Sequence, residues 1–398
     1  MRRTLDTSIG PDEATELYDV RRLAALLKVK PATIRSLRNR DQLPGPTAKN
    51  INGGAVWARE IIESYFAQEF ASTSGRPAVS AEVRPELPKV IDLFAGCGGL
   101  ALGFQLAKFD VLAGFDSWKC AVETYTANLG HPATQLDLGD VEATIAALEQ
   151  FETDEAPFPA IVGGPPCQDF SSAGSRVEGA RADLTEKFAA VVARFNPPFF
   201  VMENVARAAT SAAFERAVSV LEEAGYTVDK VVLDASLCGV PQKRKRLITV
   251  GSKNPAITRA VFSWFAEHLA DEPMTVRDWF GNRLKTETYY RHPRSYARRG
   301  VFSIDEPSPT IRGVNRPIPA GYPGHAGDVT TVDMTRPLTT AERAEIQTFP
   351  PGYRWVASRT DTEQMIGNAV PVRLAKFVAE ALAAALTASG ADQLDTSG

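Results

Sequence analysis

From Lys89 onward the chain alternates short apolar runs with helical stretches, and no other feature narrows the fold as much. Val90-Ile91-Asp92-Leu93-Phe94 reads as a strand, a glycine loop follows, and Leu100–Ala107 reads as a helix. Val111–Phe115, Ala160–Val162, Phe199–Met202 and Arg246–Val250 repeat the strand pattern. Strands alternating with helices in this way form a doubly wound sheet with helices on both faces. The expected body is therefore an α/β, Rossmann-like domain. Between Ser252 and Pro309 the alternation stops, in a span rich in Arg, aromatics, Pro and Gly that reads as a small inserted domain. Helical pattern returns at Thr340–Gln347 and Val372–Leu386. The sheet domain is thus expected over 89–251 and 310–387, the insert over 252–309, and a disordered tail over 388–398.

Residues 1–70 have a different character. Val20–Leu27 carries apolar residues at helical spacing, Lys28-Val29-Lys30 makes a short turn, and Pro31 suits the first position of a second helix. That second helix, Pro31–Arg40, holds Ile34 and Leu37 on one side and Arg35, Arg38 and Arg40 elsewhere. Gly53–Trp57 reads as a wing hairpin. The stretch resembles the winged helix-turn-helix of excisionase and MerR-type regulators, which implies DNA contacts from Arg35 and Arg38. Residues 71–88, rich in Ser, Ala, Pro and Gly, read as a linker.

The net charge of -4 argues at first against a polyanionic partner. The distribution argues the other way. Thr15–Asn50 holds 8 Lys/Arg against 3 Asp/Glu, and Arg277–Arg316 holds 9 against 4, whereas Thr134–Ala160 holds 7 acids and no base. Local basic patches on an acidic chain suit a protein that touches nucleic acid at chosen places. Four dispersed cysteines without a C-x-x-C, and four scattered histidines, make a metal site and a disulfide framework improbable. No apolar run approaches the ~20 residues that span a bilayer, and the start lacks a signal-peptide core. A cytoplasmic protein with neither membrane nor metal is expected.

The chemistry is carried by loops at the carboxyl edge of the sheet, where such folds bind ligands. In GGPPCQDFSSAG the strand Ala160–Val162 delivers Cys167 to that edge, and Pro165 and Pro166 restrict the backbone that aims the thiol. Glu203-Asn204-Val205 emerges at the same edge, and a carboxyl partly screened from water can serve as a general acid. Arg244 and Arg246 alternate along a strand and so point the same way. DLFAGCGG supplies Phe94, Ala95, Gly96, Cys97, Gly98 and Gly99, a glycine loop at a helix start. Asp116, with Ser117 beside it, ends the second strand and suits a ribose, unless it caps a helix; Asp137, with Leu138, suits an adenine. A cysteine, an acid and an arginine beside an adenosine-type site suggest methyl transfer to cytosine. Thiolate addition at C6, helped by a proton at N3, makes C5 nucleophilic toward a sulfonium methyl. The base must first leave the duplex.

In this respect the chain resembles the DNA (cytosine-5) methyltransferases over Lys89–Leu386, with DLFAGCGG, PPCQDFSSAG, ENV, QKRKR, RPLTTAERAEIQTFP and IGNAVPV in the family's order. The resemblance implies S-adenosylmethionine as cofactor, Cys167 as nucleophile and Glu203 at N3. It also implies Arg244 and Arg246 on the flipped base, and Pro166, Asn368, Ala369 and Val370 completing the cofactor pocket. Asp116 stands where the family more often has glutamate, and the recognition region 252–309 is short. DNA contacts are expected from Gln168 and Ser171 in the catalytic loop and from Arg291, Arg294, Arg298 and Arg299 in the insert. Double-stranded DNA is the expected partner, with a cognate restriction endonuclease as a second. The alternatives are the same chemistry on transfer RNA, and a transcriptional regulator acting through residues 1–70.

Overall fold

A computed structural model of the chain describes residues 17–26, 31, 34, 48–49, 55–58, 83–166 and 184–395. They fall in two units, 1–78 and 79–398. In the first, β1 (Leu17–Asp19) runs into α1 (Val20–Leu26), where the Asp19 carboxylate accepts from the backbone N–H of Arg21 and Arg22. β2 (Ala48–Lys49) and β3 (Ala55–Ala58) form an antiparallel hairpin, and β1 pairs with the other edge of β3. Leu23, Ala24, Ile34, Val56 and Trp57 are buried. The hairpin expected over Gly53–Trp57 coincides with β3 alone among the described residues; its partner strand β2 lies earlier, and β1 adds a third strand. Arg35 and Arg38 lie outside the described residues.

The second unit is built on β4 (Val90–Leu93), β5 (Val111–Asp116), β6 (Ala133–Gln135), β7 (Ala160–Gly163), β8 (Phe199–Val205), β9 (Thr227–Asp234), β10 (Gln242–Lys243) and β11 (Lys245–Ser252). Seven of these form one sheet in the order β6-β5-β4-β7-β8-β11-β9. Only β11 runs against its neighbours β8 and β9. Successive side chains of a strand point to opposite faces, and the apolar runs split accordingly. Val90, Val111, Val162, Val201 and Val250 pack on one side with α2 (Gly99–Leu106), α3 (Lys119–Asn128), α7 (Pro255–His268) and α11 (Val372–Asp395). Ile91, Leu93, Phe115, Phe200 and Met202 pack on the other, with α4 (Val141–Leu148), α5 (Leu184–Phe195) and α6 (Ala212–Glu223).

Two boundaries differ from expectation. α7 lies inside 252–309, yet Trp264 and Phe265 pack on Phe377 of α11, so this helix belongs to the body of the sheet domain. The separate small sheet begins later and ends later: β12 (Thr288–Tyr290) pairs with β13 (Val301–Ser303) and with β15 (Arg336–Pro337), while β14 (Ser308–Pro309) pairs with β10. The expected tail is helical through Asp395. The start of this stretch is anchored: Asn254 Nδ2 donates to Ser389 Oγ at 3.1 Å and, just before it, Arg84 Nη2 to Thr387 Oγ1 at 3.0 Å. Three short helices, α8 (Val276–Phe280), α9 (Thr340–Ile346) and α10 (Arg359–Asn368), complete the unit. Among the described residues no helix is long and apolar enough to cross a membrane.

Candidate active site

β4, β7 and β8 are adjacent and parallel, with Leu93 opposite Gly163 and Gly163 opposite Met202. The chain leaves β4 toward β5 and β6 on one side and returns to β7 and β8 on the other. Ligands bind in the crevice such a reversal opens. Here the crevice is a cavity of about 370 Å³. Its walls are the loop after β4 (Phe94–Cys97), the turn after β7 (Gly164–Pro166), the end of β8 (Glu203–Val205), and Gly367–Val370. A side chain on Gly164 would reach to 3.1 Å of Glu203 Oε2, so glycine lets this turn lie against the acid.

The register of β8 and β11 explains the site's central contact. Glu203 is opposite Ile248 and Val205 opposite Arg246, so Glu203 and Arg246 share a face as a diagonal pair. Arg246 Nε lies 2.6 Å from Glu203 Oε1, both side chains largely buried. Asn204, buried and next to Glu203 along β8, donates from Nδ2 to the carbonyl of Pro165 at 3.2 Å and accepts from Val205 N at 2.8 Å. It therefore pins the turn that leads into Cys167 onto β8. Cys167 itself, with Gln168 and Ser171, lies outside the described residues; Pro166, which precedes it, lines the cavity.

At the other end, both oxygens of Asp116 accept backbone N–H groups, Oδ2 from Gly96 and Oδ1 from Trp118, each at 2.8 Å. Burial pushes this carboxyl up, and those two N–H groups oppose the rise. Asp116 thus shapes the glycine loop, with its remaining lone pairs left for a ligand. Gly96 has φ +54° and nothing within 4 Å of where a Cβ would stand, which leaves an open cradle. Gly98, at φ +90°, precedes α2 without side-chain capping. Asp92 substitutes: its Oδ2 accepts from Ala101 N at 3.2 Å. A second cavity, about 990 Å³, contains Leu136, Asp137 and Gln135 and shares Ser117, Trp118, Pro166 and Asn368 with the first. The two make one groove: an amino-acid-sized end at the glycine loop and an open end edged by Trp118 and Asp137. These residues fit a ligand with a charged amino-acid end, a ribose and a planar base.

Residues 88–384 match the C-5 cytosine-specific DNA methylase family. The chain belongs to that family. It is 50% identical over 307 residues to the Type II methyltransferase M.HgiDI of Herpetosiphon aurantiacus, covering 77% of this chain and 97% of that protein. M.HindV of Haemophilus influenzae is 50% identical over 297 residues, 74% of this chain and 96% of the other. The crystal structure of the S. pombe Dnmt2 methyltransferase shares the fold, with a TM-score of 0.54 at 19% identity over 75% of this chain and 99% of that one. The chain is therefore a DNA cytosine-5 methyltransferase that uses S-adenosylmethionine.

Within this methylase fold Arg244 lines the same cavity as Arg246, but its guanidinium is engaged away from it. Arg244 was expected beside Arg246 on the base. It falls in the break between β10 and β11 and is buried, donating to the carbonyls of Ile311 at 3.3 Å and of Gly367 and Ala369 at 3.1 Å. Burial, with Arg246 nearby, pushes its guanidinium well down. It staples three segments of the methylase, and its Nε has no partner. Leu138 is core, packed among the residues of the second face, and does not line the groove. Arg299 is held by Glu306 and lies 4.3 Å over the Phe302 ring. Arg298 is exposed, while Arg291 and Arg294 line a separate cavity. Trp118 and Asn204 were missed. Trp118 follows the strand-ending Asp116 by two residues, and Asn204 stands inside the quoted ENV; both were legible as neighbours of assigned residues.

Proposed function

We propose that Cys167 attacks C6 of a cytosine flipped from a specific site in duplex DNA, with Glu203 serving N3 and Arg246 orienting both. The observation that carries this is the single cavity shared by Pro166, the Glu203–Arg246 pair and the glycine loop. The described alternatives for a nucleophile are poor: burial pushes the thiols of Cys97 and Cys238 up to about 12, so neither offers thiolate at neutral pH. Cys120, on α3, does not line the cavity.

In this reading Glu203, paired with Arg246 in the free enzyme, takes up a proton as the base enters and donates it at N3, while the Cys167 sulfur bonds C6 and the C5–C6 π pair moves to C5; the proton at N3 offsets the charge that develops. S-adenosylmethionine, when bound, supplies the methyl group that C5 takes up. Loss of the C5 proton to solvent water then re-forms the C5–C6 double bond and expels the Cys167 thiolate, and the N3 proton returns to Glu203. Gly96 and Gly99 would hold the cofactor's amino-acid end, Asp116 its ribose and Asp137 its adenine, whereas Gly98, expected there too, does not line the cavity and is packed against Leu129, Tyr125 and Tyr353. Trp118 covers the base, and Asn368–Val370 close the groove. Arg291 and Arg294 face DNA. The names of the relatives favour a restriction-modification setting with a partner endonuclease. Acting on cellular DNA, the enzyme works in the cytoplasm.

We further propose that residues 1–70 form a helix-turn-helix unit that adds DNA affinity or binds an upstream region through Arg35 and Arg38. Its hairpin β2–β3 and buried Leu23, Ile34 and Trp57 support that reading. The decisive experiment is trapping: a duplex carrying 5-fluorocytosine at the target, with cofactor present, becomes covalently attached to Cys167. Cys167→Ser forms no adduct and transfers no methyl, while binding cofactor normally. An adduct at another residue, or turnover by Cys167→Ser, overturns the mechanism.

A further inference from the structure

A cavity of about 440 Å³ lies in the same unit outside the groove. Its walls include five arginines, Arg291, Arg294, Arg312, Arg316 and Arg343, with His292 and Asn315, and no carboxylate. Arg343 is neutralised by Glu363, at 2.9 Å. Arg291, Arg312 and Arg316 have no acidic partner among the described residues. Arg291 and Arg312 are held in place by carbonyls, Arg291 by Thr310 at 2.8 Å and Arg312 by His292. Carbonyls orient a guanidinium without cancelling its charge.

The groups themselves register that surplus. Arg291 is pushed down to about 10 by burial and then by Arg312, Arg343 and Arg294. Arg312 is lowered by burial and then by Arg294 and Arg316. Concentrated positive charge in a concave, partly desolvated site is unfavourable until an anion arrives.

The position indicates which anion. Residues 311–315 separate this cavity from the groove. The Ile311 carbonyl is held by Arg244, which lines the groove, while Arg312, Val314 and Asn315 line the arginine cavity. Gly313 lies against Gly367, where a Cβ would come within 2.1 Å of the Gly313 nitrogen. A group gripped by Arg312 is thus rigidly registered to the pocket that receives the base. We propose that this cavity grips a phosphodiester of the substrate DNA strand, through Arg312 and Arg316 with Arg291 behind them. Its role is to position the strand, not to read a base. The inference deepens the DNA-methylation reading and rests on it.

The test uses the full-length protein and duplex DNA containing its methylation site, with Arg316→Gln and Arg312→Gln. Arg316 is exposed and makes no hydrogen bond or ion pair among the described residues, so its loss spares the fold; cofactor binding by calorimetry checks this for both variants. Each phosphate contact contributes about 0.9 to the slope of log affinity against log salt. Each variant should lower the slope by about that much. A roughly fourfold rise in salt then costs the wild type about 3.5 times more affinity than the variant. The set of methylated sites, mapped by bisulfite sequencing, stays the same. A slope equal to the wild type's in Arg316→Gln, as a site for a free anion gives, overturns the proposal. A changed set of sites, whatever the slope, also overturns it, because that is the signature of base reading. Normal cofactor binding with full single-turnover methylation at low salt keeps either failure distinct from failure of the catalytic reading.

Discussion

Glu203→Gln tests the centre of the site. The substitution keeps the shape and removes the charge that faces Arg246 at 2.6 Å, with the two side chains 11% and 14% exposed. At an effective dielectric of about 20, unit charges so close attract by roughly 6 kcal/mol. Desolvation offsets much of this, and removing one member of a buried pair costs about 3–5 kcal/mol because the other is stranded. Some exposure persists here, so the expected loss is about 3 kcal/mol for Glu203→Gln and similarly for Arg246→Gln. The double variant strands nothing and should lose no more than either single, a coupling of about 3 kcal/mol. Urea unfolding measures all three. Activity separates from stability: without a carboxyl that can take up a proton and pass it to N3, kcat for methyl incorporation into duplex DNA should fall about 10²–10⁴-fold, and the double variant should not recover it. Additive stability losses would refute the ion-pair argument. A wild-type kcat in Glu203→Gln would refute the catalytic one.

Other expectations follow from separate parts of the structure. Iodoacetamide near neutral pH should leave Cys97 and Cys238 unlabelled by mass spectrometry, since burial pushes both thiols up to about 12, and Cys167 should react first; early labelling of Cys97 refutes this. Arg244→Met removes the donors to Ile311, Gly367 and Ala369, and should destabilise the protein by about 2–4 kcal/mol and weaken cofactor binding; unchanged cofactor affinity by calorimetry excludes the stapling role. Asn204→Ala frees the Pro165 carbonyl and should lower kcat about tenfold or more with little effect on cofactor binding; an equal loss of both points to general unfolding. His131 lies 2.5 Å from the Tyr125 hydroxyl, and burial pushes its imidazole down to about 4. The unfolded chain, near 6.5, then binds the extra proton between those values. Stability should therefore fall as pH drops from about 6.5 toward 4, by up to about 3 kcal/mol. The same decline in His131→Gln would show that another group is responsible.

The doubly wound body was legible because strands covered on both faces must be apolar throughout, a pattern a short window displays. β9, Thr227–Asp234, escaped because only one of its residues is buried and it carries Asp229 and Lys230. The anchored stretch of α11 escaped because its partners, Asn254 and Arg84, lie far away in sequence. Within the site, the motifs marked Glu203 and the glycine loop, since their chemistry is local to each segment.

By itself, then, the order of residues determined which segments carry chemistry and which sheet edge presents them, because strand alternation and loop composition are local properties. Only the tertiary structure decided the partners. Register made Glu203 and Arg246 a pair, the break before β11 turned Arg244 inward to three distant carbonyls, and the fold brought Arg291, Arg294, Arg312, Arg316 and Arg343 around one cavity. Each of these depends on groups far apart along the chain meeting in a low-dielectric interior, where a charge is defined by what surrounds it.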